Sequence, residues 1–148
     1  MKPKDILLYM DIAERVSRQS HARRLKVGGV FVAESGVMTI GYNGTLPGHD
    51  NNCENEVYHE REWQDEPTLV TKPEVLHAEE NILGKLLEEG VSSRGGSLFL
   101  THTPCINCAK LIARAKIKNL YYKSEYRTND GINFLRGVGV YVEKVCDS

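Results

Sequence analysis

Apolar positions in the first twenty residues recur at helical spacing. Ile6, Leu7, Met10, Ile12, Ala13 and Val16 are separated by Asp, Glu and Arg, which predicts an amphipathic helix over 5–19. The pattern then changes period. After the basic connector "HARRLK", the runs "VGGVFVA" (27–33) and "GVMTIGY" (36–42) are short and β-rich, and "ESG" between them signals a hairpin. From Asn43 to Pro73 the periodicity is weak and turn formers are frequent. A structureless stretch of that length is uncommon inside a compact domain, so it reads as a functional lid, an oligomer contact or both, with a short helix around Tyr58 to Gln64. The pattern sharpens at Pro73. "PEVLHAEENILGKLLEEG" predicts a helix ending at Gly90, and "GSLFLTH" a strand. "PCINCAKLIARAKI" predicts a helix with Pro104 in its first turn, and "NLYYK" a strand. "DGINFLRGVG" predicts a last helix and "VYVEKV" a last strand. Strands alternating with helices predict an α/β domain with a largely parallel portion after the opening hairpin. No internal repeat interrupts the 148 residues, which are expected to form one domain, 1–148, with a long loop insertion at about 44–73.

Composition changes this picture little. A formal net charge of −1 argues against a protein whose affinity comes from neutralising many nucleic-acid phosphates, but leaves a small anionic ligand open. No segment approaches the roughly 20 apolar residues of a membrane helix, and the start of the chain lacks the apolar core of a secretory signal. A cytoplasmic location is therefore expected, with neither membrane nor nucleic acid as partner. Four cysteines, Cys53, Cys105, Cys108 and Cys146, are few for a disulfide scaffold. In a reducing compartment, close cysteines point to metal or redox chemistry.

The chemistry concentrates in "HAE" and "PCINC". Cys105 and Cys108 stand three apart at the start of a predicted helix, which places both sulfurs on one face where the helix N-terminus favours thiolates. His77 begins a second helical pattern. Helix starts that follow sheet edges can converge at one end of an α/β sheet. Three protein ligands with a fourth position left for water describe a catalytic zinc, which lowers the pKa of its water to ≈ 7. Glu79, on the same turn as His77, is not needed as a ligand and is free to move protons. The spacing H-x-E…P-C-x-x-C is that of zinc nucleobase deaminases. Blander readings exist. The two cysteines alone could be a thioredoxin-like pair, which would leave His77 and Glu79 idle. A closed structural zinc site needs a fourth ligand, which Cys53, His49, His59 or His102 could supply.

With these motifs and "GYNG" at 41–44, the sequence resembles the deoxycytidylate (dCMP) deaminases of the cytidine deaminase superfamily, from about Ile6 to Val145. The resemblance implies a three-layer α/β/α sandwich around a five-stranded mixed sheet. It implies zinc on His77, Cys105 and Cys108, with Glu79 as proton shuttle in the conversion of dCMP to dUMP and ammonia, which supplies dUMP for thymidylate synthesis. The backbone N–H of Ala78 is then expected to hold the base carbonyl. Asn43 is expected to orient the nucleoside, although "YNG" also suits a turn. Arg24 and Lys26 occupy the region where related enzymes bind phosphate; Arg24 is the better candidate for its bidentate fork. Tyr126, with Arg127, is expected to cover the nucleotide from the other side.

Many phage-type members build a second, structural zinc site from cysteines near the first helix and in the long loop. "SHARR" has no cysteine, so one zinc per chain is expected and Cys53 and Cys146 read as free thiols. The resemblance further implies a homo-oligomer, a hexamer in many members, switched on by dCTP and off by dTTP, with Asn43 to His49 the place for a second site. Two alternatives remain: another zinc nucleoside or nucleobase deaminase, and a catalytically silent zinc-containing nucleotide sensor.

Overall fold

The computed structural model describes residues 1–58 and 66–146. In chain order the elements are α1 (Pro3–Ser17), β1 (Gly28–Val32), β2 (Met38–Tyr42), β3 (Glu54–Val57), β4 (Thr68–Thr71) and α2 (Ala78–Glu89). They continue with β5 (Ser97–His102), α3 (Ile106–Arg114), β6 (Asn119–Ser124), α4 (Asp130–Gly137) and β7 (Tyr141–Lys144). A five-stranded mixed sheet runs β2-β1-β5-β6-β7. β1 is antiparallel to both β2 and β5, while β5, β6 and β7 are parallel. The expected opening hairpin and parallel portion are thus both present.

Strand alternation sorts the core into two layers. Val30, Val32, Phe99 and Tyr121 face α1 and pack with its Met10 and Ala13. Their neighbours Phe31, Leu98, Leu100, Leu120 and Tyr122 face the opposite way, toward Ile82 and Leu86 of α2, Ile112 of α3 and Leu135 of α4. The result is the three-layer α/β/α sandwich. Gly41 allows close approach of α2 to β2: a Cβ there would lie 2.7 Å from Ile82 Cγ1 and 3.2 Å from the Ala78 carbonyl oxygen.

Element limits differ from the sequence expectation in three places. α1 begins at Pro3, since proline is tolerated in a first helical turn where its missing N–H costs nothing. The helix expected from Pro73 begins only at Ala78, because Leu76 pairs with Gly44 through reciprocal backbone bonds of 3.0 and 2.9 Å. α3 starts only at Ile106, because Cys105 takes an extended N-cap conformation, so Pro104 precedes the helix rather than lying in its first turn; the helix stops at Arg114, and Lys116 takes a left-handed φ of 61°. The long loop is also not structureless: β3 and β4 form a separate two-stranded antiparallel sheet. The short helix expected around Tyr58 to Gln64 lies, beyond Tyr58, outside the described residues.

Candidate active site

Two helix starts build the site. His77 is the N-cap of α2, and its N–H donates to Glu80 Oε1 at 2.9 Å, which fixes the residue at the helix mouth. Cys105 is the N-cap of α3, and its Sγ accepts from the Cys108 N–H at 3.5 Å. His77 Nδ1 lies 3.2 Å from Cys108 Sγ and 3.7 Å from Cys105 Sγ. The three ligand atoms all fall within 4.8 Å of one another. Zinc bonds of roughly 2.0 Å to nitrogen and 2.3 Å to sulfur, at tetrahedral angles, separate N and S by about 3.5 Å. The donor set and its spacing therefore fit one such ion. The first turn of α4 closes against this corner, since any side chain at Gly131 would run into the Pro104 carbonyl.

Glu79 is 4% exposed. Burial pushes its carboxyl above the usual range, opposed by a hydrogen bond with Cys108 and by the nearby His77. Burial likewise pushes the Cys108 thiol up, and the Glu79 carboxylate and Cys105 add to the effect. A divalent cation among these donors reverses the sign of that local field and favours the thiolates.

The expected residues do not all meet. One cavity is walled by His77, Ala78, Glu79, Cys105, Arg24, Asn43 and Tyr126. Cys108 is buried behind that wall. Lys26 is not in the wall: its exposed ammonium donates to the Ser20 carbonyl. Of the three cations in the connector, Arg23, Arg24 and Lys26, only Arg24 lines the cavity. Asn43 does more than expected. Its Oδ1 accepts from the Val27 N–H at 2.9 Å and its Nδ2 donates to the Leu25 carbonyl at 2.8 Å, so it clamps the connector while lining the cavity. One lone pair and one N–H remain for a ligand.

Tyr126 closes the far side. Its backbone N–H donates to Thr103 Oγ1 at 2.9 Å, which ties the loop after β6 to the loop after β5. Its ring lies 5.8 Å from the Arg24 guanidinium and 5.0 Å from that of Arg127, and edge-on to His102 at 6.3 Å. Its hydroxyl is buried without a hydrogen-bond partner among the described residues. Burial lowers the pKa of His102.

The wall also includes Thr71, Cys53 and His102. Thr71 was not expected, and its polar, turn-rich surroundings give no periodic signal. Cys53 Sγ is turned to the Asn51 carbonyl at 3.5 Å, and Cys146 is exposed. His59 lies outside the described residues. A second concavity is bounded by Thr45, Leu46, His49, Asp50, Asn52, Lys72 and Glu74.

Comparisons with known proteins agree with this geometry. The family model for the cytidine and deoxycytidylate deaminase zinc-binding region matches residues 3–124. ComE operon protein 2 of Bacillus subtilis is 31% identical over 141 residues, 93% of this chain and 69% of that protein. Deoxycytidylate deaminase of Saccharomyces cerevisiae is 32% identical over 147 residues, 97% of this chain and 46% of that longer protein. The crystal structure of dCMP deaminase from the cyanophage S-TIM5 in complex with dCMP and dUMP superposes with a TM-score of 0.85 at 43% identity, covering 98% of this chain and 99% of that one.

Proposed function

The chain belongs to the cytidine and deoxycytidylate deaminase family, and on that premise we propose that it hydrolyses dCMP to dUMP and ammonia. One observation carries the reading. Two of the three metal donors, His77 and Cys105, and the buried Glu79 open onto the same cavity as an arginine fork, with the third donor, Cys108, directly behind them. The S-TIM5 relative, whose structure holds dCMP and dUMP, supports the choice of substrate.

When bound, zinc lowers the pKa of a water to about 7 and supplies a nucleophile at neutral pH. The protein's own residues do the rest. Glu79, held out of bulk solvent, takes a proton from the attacking water and passes it to N3 of the base, then takes the remaining hydroxyl proton at C4 and passes it to the amine, which departs as ammonia. The Ala78 N–H, at the start of α2 where the helix leaves its amides unpaired, donates to the base carbonyl. Asn43 offers its remaining lone pair and N–H to the nucleoside. Tyr126 covers the nucleotide, and Arg24, with Arg127 beyond the ring, meets the 5′-phosphate. The dUMP product would serve thymidylate synthesis.

Three further parts belong to this proposal. Residues 1–148 act as one catalytic unit. The unit assembles as a homo-oligomer, a hexamer by family resemblance. dCTP activates and dTTP inhibits, with the concavity around His49 and Lys72 as the place for the effector.

The test is ammonia release from equal concentrations of dCMP, CMP, deoxycytidine and dCTP, with and without dCTP or dTTP as effector. Turnover confined largely to dCMP is expected, with a change of rate on adding effector. Equal turnover of deoxycytidine and dCMP would remove the phosphate pocket. No turnover of any of them by zinc-loaded protein would overturn the enzyme reading.

A further inference from the structure

Arg24 sits on a connector with no regular secondary structure, yet its guanidinium has a defined place. The β3–β4 hairpin supplies the restraint. The Arg23 N–H donates to both carboxylate oxygens of Glu54, at 2.8 and 3.0 Å. Arg24 Nε donates to Thr71 Oγ1 at 3.2 Å. Glu54 and Thr71 are directly opposite each other in the hairpin register. One rung of this small sheet therefore holds the connector backbone at residue 23 and the side chain at residue 24.

The details fit a positioning role. Glu54 is 1% exposed, and no cation pairs with it among the described residues. Burying a carboxylate without an opposite charge is costly, and its partner here is a backbone N–H next to the cavity arginine. The nearby pair between Arg23 Nη1 and Glu56 is exposed and contributes little. With Nε committed to Thr71 and the Tyr126 ring at 5.8 Å, both terminal nitrogens of Arg24 stay free of hydrogen bonds among the described residues. Those two nitrogens are the ends of a guanidinium that can grip phosphate bidentately.

We infer that Glu54 and Thr71 are positioning residues that aim the Arg24 fork, and that through it they set the preference for a nucleoside monophosphate over the nucleoside. This rests on the reading of Arg24 as the phosphate ligand. The hairpin thus has a part in substrate selection although neither residue needs to touch the base.

The experiment compares kcat/KM for dCMP with that for deoxycytidine, and Kd for dUMP with that for deoxyuridine, in the full-length zinc-loaded protein. The variants are Arg24→Gln, Thr71→Val, Thr71→Ser, Glu54→Gln and the double variant Arg24→Gln/Thr71→Val. Arg24→Gln is expected to lower the monophosphate preference roughly 10–100-fold, the size of a lost charge-assisted hydrogen bond. Thr71→Val and Glu54→Gln are expected to lower it about 3–10-fold, through KM for dCMP and Kd for dUMP rather than through kcat. Thr71→Ser keeps the acceptor and restores the preference. The double variant loses no more than Arg24→Gln alone.

If Arg24→Gln leaves the preference intact, the phosphate reading of Arg24 falls. If Arg24→Gln abolishes it but Thr71→Val affects nucleotide and nucleoside alike, or neither, the positioning role falls while the phosphate reading stands. Should Glu54→Gln fail to fold, the Thr71 variants and the double variant decide the matter.

Discussion

Glu79 carries its carboxyl into a wall where ionisation is penalised, one hydrogen bond away from a buried thiol. A structural role would leave no reason to put an acid there. A group that must take a proton and give it back gains from having its pKa brought toward the working pH. Glu79→Gln is therefore expected to cut ammonia release by at least roughly 10²–10⁴-fold with zinc stoichiometry unchanged. Cys108→Ala is expected to lose the zinc as well, read by metal analysis of the dialysed protein. A Gln variant that deaminates at the parent rate would remove Glu79 from the mechanism. His77, Glu79, Cys105 and Cys108 are legible in sequence because ligand chemistry is tied to short spacings. The roles of Arg24 and Lys26 are less so. The bidentate fork favours Arg24, but the two stand two apart on a connector without a period, and the fold separates them by placing Arg24 in the cavity wall and Lys26 against the Ser20 carbonyl. Glu54 and Thr71 are hidden for a related reason: their tie to the connector is a long-range contact that no local pattern announces.

At the level of elements, the site depends on how closely the first turn of α2 lies against β2. The strands and helices of the main sheet are legible because each buries an apolar face, and that face sets a period. β3 and β4 bury little: "ENEV" and "TLVT" have one buried residue between them, Glu54, so no hydrophobic alternation marks them. The start of α2 is misplaced in sequence because a pairing between Leu76 and Gly44, far apart in the chain, overrides local propensity. Gly41 tests the close packing. Gly41→Ala puts a methyl 2.7 Å from Ile82 Cγ1 and 3.2 Å from the Ala78 carbonyl. Overpacking of this kind costs about 1–3 kcal/mol, and because the strained turn carries His77 and Glu79, turnover should fall along with the melting temperature. Ile82→Ala vacates the Cγ1 position. Combined with Gly41→Ala it should destabilise by less than the sum of the two single changes. Strict additivity in denaturant titrations would show that the two elements are not in tight contact.

For the molecule as a whole, the sheet leaves β2 as an edge with apolar side chains in water. Val37 is 56% exposed, Met38 45% and Ile40 36%, and Met38 and Ile40 point to the same face of the strand. An apolar edge strand is a template for pairing with another chain, and proteins that remain monomeric usually blunt such edges with charge, proline or a bulge. The Lys85 ammonium reaches the Ile40 carbonyl at 2.5 Å, but no charged residue occupies the strand itself. Cover by a second copy of the chain is the simplest resolution, and it agrees with the homo-oligomer proposed from the family. Sedimentation equilibrium at micromolar concentration should return a multiple of 16.7 kDa. Lysine at both Met38 and Ile40 should lower that mass without changing the far-ultraviolet circular dichroism, because both side chains already reach solvent and the core layers stay intact. A parent protein that sediments as a single 16.7 kDa species would refute the assembly. An unchanged mass in the double lysine variant would place the contact on another face and leave the β2 edge open.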